Sequence, residues 1–113
     1  VISDIGDAVE DSLDTKKYGI IRSLVGHGVG HAVHELPSIP NYKTKKFPQV
    51  KIEEGMCLAI EPMVTTGGYE IVTDEDGWTI RTEDGSDSAH FEVTVAVTKN
   101  GSEILTPQPK IQI

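Results

Sequence analysis

His90-Phe91-Glu92-Val93-Thr94-Val95-Ala96-Val97-Thr98 is the stretch on which the fold turns. Phe91, Val93, Val95 and Val97 share one face of an extended chain, and His90, Glu92, Thr94, Ala96 and Thr98 share the other. The period of two predicts a β-strand with a bulky apolar side and a small or polar side. Asn100-Gly101 supplies a turn signal after it, and Glu103 to Leu105 reads as a short return strand. Working backwards, Met56 to Val64 alternates in the same way, with Met56, Leu58 and Ile60 against Cys57, Ala59 and Glu61. Between these two strands, Tyr69–Thr73 and Trp78–Thr82 flank Asp74-Glu75-Asp76-Gly77, a hairpin-like turn.

Further upstream the period changes. Ile2, Ile5, Val9 and Leu13 recur at three- and four-residue spacing, the stripe of an amphipathic helix. Ser3 is the expected cap, with Asp4 and Asp7 at the positive dipole end and Lys16-Lys17 at the negative one. Tyr18 to Leu24 reads as a short strand, and Gly26-His27-Gly28-Val29-Gly30 as a glycine-rich loop. Pro37, Pro40 and Pro48 predict an irregular course over residues 37–50. The pattern is α+β: a mostly antiparallel sheet with a helix packed on one face.

Size and composition narrow the function. A chain of 113 residues makes one small domain or part of a larger one, and a start at Val1 leads us to expect missing upstream sequence. With 37% hydrophobic and 25% charged residues it reads as a globular segment. A formal charge of -8 argues against a nucleic-acid partner. No apolar run approaches the roughly 20 residues that span a bilayer, so no membrane partner is expected. Cys57 is the single cysteine, so no internal disulfide can form, and a cytoplasmic location is expected. Cys57 itself reads as a small buried apolar residue.

Glu61 and Glu92 lie on the polar faces of their strands, the faces free to line a cleft, which suggests a metal or acid–base site. His27, His31 and His34 have the spacing of a zinc site on one helix face. Gly26, Gly28 and Gly30 oppose that helix, each costing about 1 kcal/mol relative to alanine. The order His31-Ala32-Val33-His34-Glu35 also matches neither helical zinc-protease motif. In a loop the same glycines let the backbone come close to a neighbour and leave His27 free to project. Taken singly, these residues have plainer readings: His27 a loop histidine, Glu61 and Glu92 exposed strand glutamates, Trp78 a core residue, and His31 and His90 histidines at the surface or standing behind a ligand.

Taken in order, the motifs resemble the pita-bread metallopeptidases. They are Gly26 to Pro37 with Ile39-Pro40-Asn41-Tyr42, then Glu54-Gly55-Met56 leading into Ala59-Ile60-Glu61-Pro62-Met63. Asp76-Gly77-Trp78-Thr79, Asp84 to Thr94 and Glu103-Ile104-Leu105-Thr106 follow. Glu61-Pro62-Met63 and Ser88-Ala89-His90-Phe91-Glu92 resemble the type I methionine aminopeptidases more than the Xaa-Pro peptidase branches.

The resemblance implies that residues 1–113 form the C-terminal part of such a catalytic domain. It implies metal ligation by His27, Glu61 and Glu92, with Glu92 bridging two metals and Glu61 also taking a proton from the attacking water. His34 would hydrogen-bond the substrate amide or the tetrahedral intermediate, and Trp78 would stand near the substrate. The cofactors would be two divalent ions, Co, Mn, Fe or Zn. The substrate would be the N-terminal methionine of peptides and nascent proteins, and the complete enzyme would be a monomer.

Two departures stand out. The family usually has glutamine where this chain has His90, a change expected to replace no ligand but to alter the groups that surround the ligands. Its two upstream aspartate ligands have no counterpart, since Asp4, Asp7, Asp11 and Asp14 belong to the helix region. The chain alone is therefore expected to bind metal weakly and to have little peptidase activity. The competing readings are a non-catalytic half-domain that binds a partner through a sheet edge and an Xaa-Pro peptidase.

Overall fold

The computed structural model describes residues 1–110. The apolar stripe near the N-terminus forms helix α1, Ile2–Asp11. Ile2 is buried, and Ile5 packs against the same cluster. Ser3 does not cap the helix; its hydroxyl donates to Gln49 Oε1 at 2.6 Å. Lys16 and Lys17 lie beyond the helix, which ends at Ser12 with the Ser12 hydroxyl donating to the Val9 carbonyl.

Among the described residues ten strands follow: β1 (Gly19–Ile20), β2 (Gly26–Val29), β3 (Glu35–Ile39), β4 (Cys57–Ile60), β5 (Met63–Thr65), β6 (Ile71–Thr73), β7 (Ile80–Thr82), β8 (Ser88–His90), β9 (Val93–Thr98) and β10 (Gly101–Ile104). They make a five-stranded sheet in the order β10-β9-β4-β2-β3, a three-stranded sheet β1-β5-β8 and the hairpin β6-β7. Every pairing is antiparallel. The α+β architecture with one helix on a mostly antiparallel sheet is thus what the alternation predicts.

The bulky face of the larger sheet is the packed one. Leu58 lies opposite Val95, and Leu58 joins Ile2 and Ile39 in the core, with Val97, Met56, Val50 and Ile52 packed around them. The opposite face carries a row across three strands, His27, Ala59 and Thr94. The small Ala59 in the middle leaves room for what stands beside it.

Four local expectations are corrected. The glycine-rich stretch is not a loop but an inner strand, β2. A Cβ on Gly26 would sit 2.3 Å from the Ala59 carbonyl oxygen, and one on Gly28 would sit 2.3 Å from that of Leu36. The glycines therefore serve close strand approach. Residues 37–39 are not irregular, because β3 is an edge strand, where a proline costs no ladder bond. The strand expected over Tyr18–Leu24 shrinks to Gly19–Ile20.

The fourth correction decides the site. Neither long alternating stretch is one strand: β4 stops at Ile60 and β5 starts at Met63 in the other sheet, while β8 stops at His90 and β9 starts at Val93. Pro62 lacks an amide proton and cannot extend the ladder. The two crossings are tied together where the Phe91 N–H donates to the Pro62 carbonyl at 3.1 Å. Phe91 consequently leaves the packed face and is largely exposed.

Candidate metal centre between two sheets

Ile60 pairs with Val93 at the end of the β4–β9 ladder. Glu61 and Glu92 are each one residue beyond that pair, in the two crossings. β2 lies on the other side of β4 and sets His27 opposite Ala59. One ligand atom from each of His27, Glu61 and Glu92 falls within 4.8 Å of the others. Among the described residues this is the group able to hold a metal ion. His27 and Glu61 are mostly buried, at 14% and 13% exposure, and Glu92 is exposed.

The hydrogen bonding around His27 tests whether a cation fits. Its Nδ1 lies 2.8 Å from the Gly28 carbonyl oxygen, an acceptor only, so Nδ1 carries the proton and donates. In the neutral ring Nε2 then presents a lone pair. It faces Glu61 Oε1 at 3.3 Å. Two acceptors pointed at each other at this distance need positive charge between them. A divalent ion with bonds of about 2.1 Å would satisfy both atoms. Fixing one imidazole nitrogen on a backbone carbonyl is also how metal-ligating histidines are usually oriented.

Glu61 is held at its other atoms. Its backbone carbonyl accepts from Nδ2 of the fully buried Asn41 at 3.2 Å, and its Oε2 lies 3.2 Å from His90 Nε2. The His90 position thus stays outside the ligand group but touches one of its members, as a residue placed behind a ligand does. In a single strand His90 would be remote from Glu61. The exchange of sheets instead pairs His90 with Met63, two residues after Glu61. Asn41 and His90 are the two residues whose part was not evident from spacing. Only the Ile39-Pro40-Asn41-Tyr42 motif hinted at Asn41.

His34 is not in the ligand group. It lies in the tight β2–β3 connection, where the Gly30 N–H donates to the Ala32 carbonyl and the Ala32 N–H to Glu35 Oε1. There its ring packs against that of His27, with centroids 4.1 Å apart. His27, His34, Glu61 and His90 line a cleft of about 620 Å³ whose remaining wall includes Ile21, Leu24, Met63 and Ile80. Trp78 stands at the β6–β7 turn, 87% exposed, on the same hairpin as Ile80. His31 is exposed, and Cys57 is only partly buried.

Comparison with known proteins adds to this geometry. The family model described as metallopeptidase family M24 matches residues 1–99. The chain is similar to the methionine aminopeptidase of Clostridium perfringens, 45% identical over 106 residues that cover 93% of this chain and 42% of that protein. It is similar to the methionine aminopeptidase of Borreliella burgdorferi, 50% identical over 96 residues, 85% of this chain and 38% of that protein. In structure it is similar to methionine aminopeptidase from Thermotoga maritima, with a TM-score of 0.86, 47% identity and coverage of 95% of this chain and 43% of that one. The enzyme from Rickettsia prowazekii gives a TM-score of 0.83 at 40% identity, covering 91% of this chain and 42% of that one. The chain thus spans less than half the length of the relatives it matches.

Proposed function

The chain belongs to metallopeptidase family M24, and from that premise we propose that it supplies the C-terminal part of a methionine aminopeptidase catalytic domain over residues 1–113. The proposed substrate is the N-terminal methionine of peptides and nascent proteins, met in the cytoplasm. The observation that carries the reading is the convergence of one ligand atom from each of His27, Glu61 and Glu92 beside an apolar-walled cleft.

His27, Glu61 and Glu92 would hold the metal, with Glu92 shared between two divalent ions. One imidazole with two carboxylates suits Co, Mn, Fe or Zn without strong selection among them. When bound, such a pair supplies Lewis acidity toward the scissile carbonyl and a nucleophile at neutral pH. The protein's own groups do the rest. Glu61 takes a proton from the attacking water. His34, held over the cleft by the β2–β3 turn, donates to the substrate amide or the tetrahedral intermediate. Met63, Ile80 and Leu24 exclude water from one wall, as an apolar side chain requires. Trp78 meets substrate at the rim, on the hairpin that also carries Ile80.

Three ligands leave a two-metal centre incompletely bound. The expected outcome is little turnover of a Met-Ala-Ser peptide by this chain with added Mn²⁺ or Co²⁺. Turnover should appear when the upstream segment of a relative is supplied in trans. Robust turnover by the chain alone would refute the division of the site, and cleavage of Ala-Pro in preference to Met-Ala peptides would refute the substrate.

A further inference from the structure

We propose that His90 is a positioning residue for Glu61, donating from Nε2 to Glu61 Oε2 so that Oε1 stays turned toward His27 and the metal. The inference rests on the metal-centre reading above. Its basis is that Glu61 is approached by two imidazoles from different sheets. His27, on β2, faces Oε1 at 3.3 Å, and His90, on β8, faces Oε2 at 3.2 Å. The terminal torsion of a glutamate is broad and nearly two-fold, so packing alone does not say which oxygen faces the metal. A fixed donor on one oxygen does. Since Asn41 Nδ2 also donates to the Glu61 backbone carbonyl, the residue is held at both ends.

The geometry separates this role from ligation. Among the described residues, the atoms in mutual reach belong to His27, Glu61 and Glu92, and His90 lies outside that group. Because Glu61 accepts and cannot donate when ionised, His90 Nε2 must carry the proton. Glutamine, the residue the resemblance leads one to expect here, offers an amide N–H of the same kind. Histidine at this position keeps the donor while changing the group that bears it. The pairing depends on register, because His90 lies opposite Met63 in the β5–β8 ladder.

The test uses the chain with ¹⁵N-labelled histidine, alone and titrated with Zn²⁺ against a chromophoric chelator, beside His90→Gln and His90→Leu. Long-range ¹H–¹⁵N spectra should show His90 with its proton on Nε2 before and after zinc, while His27 Nε2 shifts on zinc addition. His90→Leu should weaken zinc binding about tenfold or more, as loss of an outer partner does, and His90→Gln should regain most of it. Zinc binding by His90→Leu equal to that of the unmodified chain would overturn the proposal. So would a zinc-induced loss of the His90 Nε2 proton, which would make His90 a ligand. Failure of His27 to respond to zinc would instead sink the metal-centre reading, and the metal-free spectrum would still decide whether His90 donates to Glu61.

Discussion

At the scale of single residues, the site is defined by which lone pairs are already committed. His27 gives its Nδ1 proton to the Gly28 carbonyl at 2.8 Å and is left with Nε2 facing a carboxylate. His34, whose ring lies 4.1 Å from that of His27, has no such carboxylate in the ligand group. The two histidines, seven positions apart in one motif, should therefore separate in a binding experiment. His27→Ala is expected to lower Zn²⁺ affinity by at least about tenfold, the smaller end of what outer partners alone control. His34→Ala should leave it near that of the unmodified chain while abolishing any turnover obtained by complementation. Calorimetric titration of both variants checks this, and equal losses of zinc affinity would contradict the assigned roles. The types of these residues were legible in the sequence. Their pairing with Gly28, Asn41 and His90 was not, because hydrogen-bond partners are chosen by neighbours brought in by other strands.

At the scale of elements, the β6–β7 hairpin illustrates how a turn is stored in one acidic residue. The Thr79 hydroxyl donates to Asp76 at 2.5 Å, and the N–H groups of Trp78 and Thr79 donate at 2.9 and 2.8 Å. The Thr79 hydroxyl first, and then the two backbone donors, hold the Asp76 carboxyl below its ordinary pKa of 3.8. A carboxylate whose pKa falls on folding adds stability that is fully present above the unfolded value. That stability is lost as pH drops through the lowered one. Trp78 is the single tryptophan, so its fluorescence anisotropy reports on the turn. The expected result is constant anisotropy above pH 3.8 and an acid step below it, with Asp76→Ala showing lower anisotropy at neutral pH and no such step. The hairpin was readable in advance because turn chemistry is local. The glycine-rich strand β2 was not. The glycines were readable as allowing a close backbone approach, but that the neighbours are the Ala59 and Leu36 carbonyls of flanking strands is something nothing local reveals.

At the scale of the whole molecule, the site depends on a core that it does not touch. Leu58, 2% exposed, lies on the central strand β4 and packs with Ile2 of the helix and Ile39 of β3. Leu58→Ala is expected to cost about 2–5 kcal/mol through lost burial and the cavity left behind. In urea denaturation this should appear as a lower midpoint, and zinc binding should fade in parallel as β2, which carries His27, separates from β4, which leads into Glu61. An unchanged midpoint would mean that the helix is not held as described. The sequence by itself determined the α+β class, the alternating faces within each strand, the helix stripe and the residue types that meet at the candidate site. These follow from side-chain chemistry and from periods of two and of three to four. Only the tertiary structure decided that both alternating stretches break and exchange sheets at one level. It set Glu61 beside Glu92, brought His90 onto Glu61 and turned His27 toward both. The reason is physical: a strand's period fixes which face a side chain takes, but the point where it leaves one sheet for another depends on partners distant in the chain.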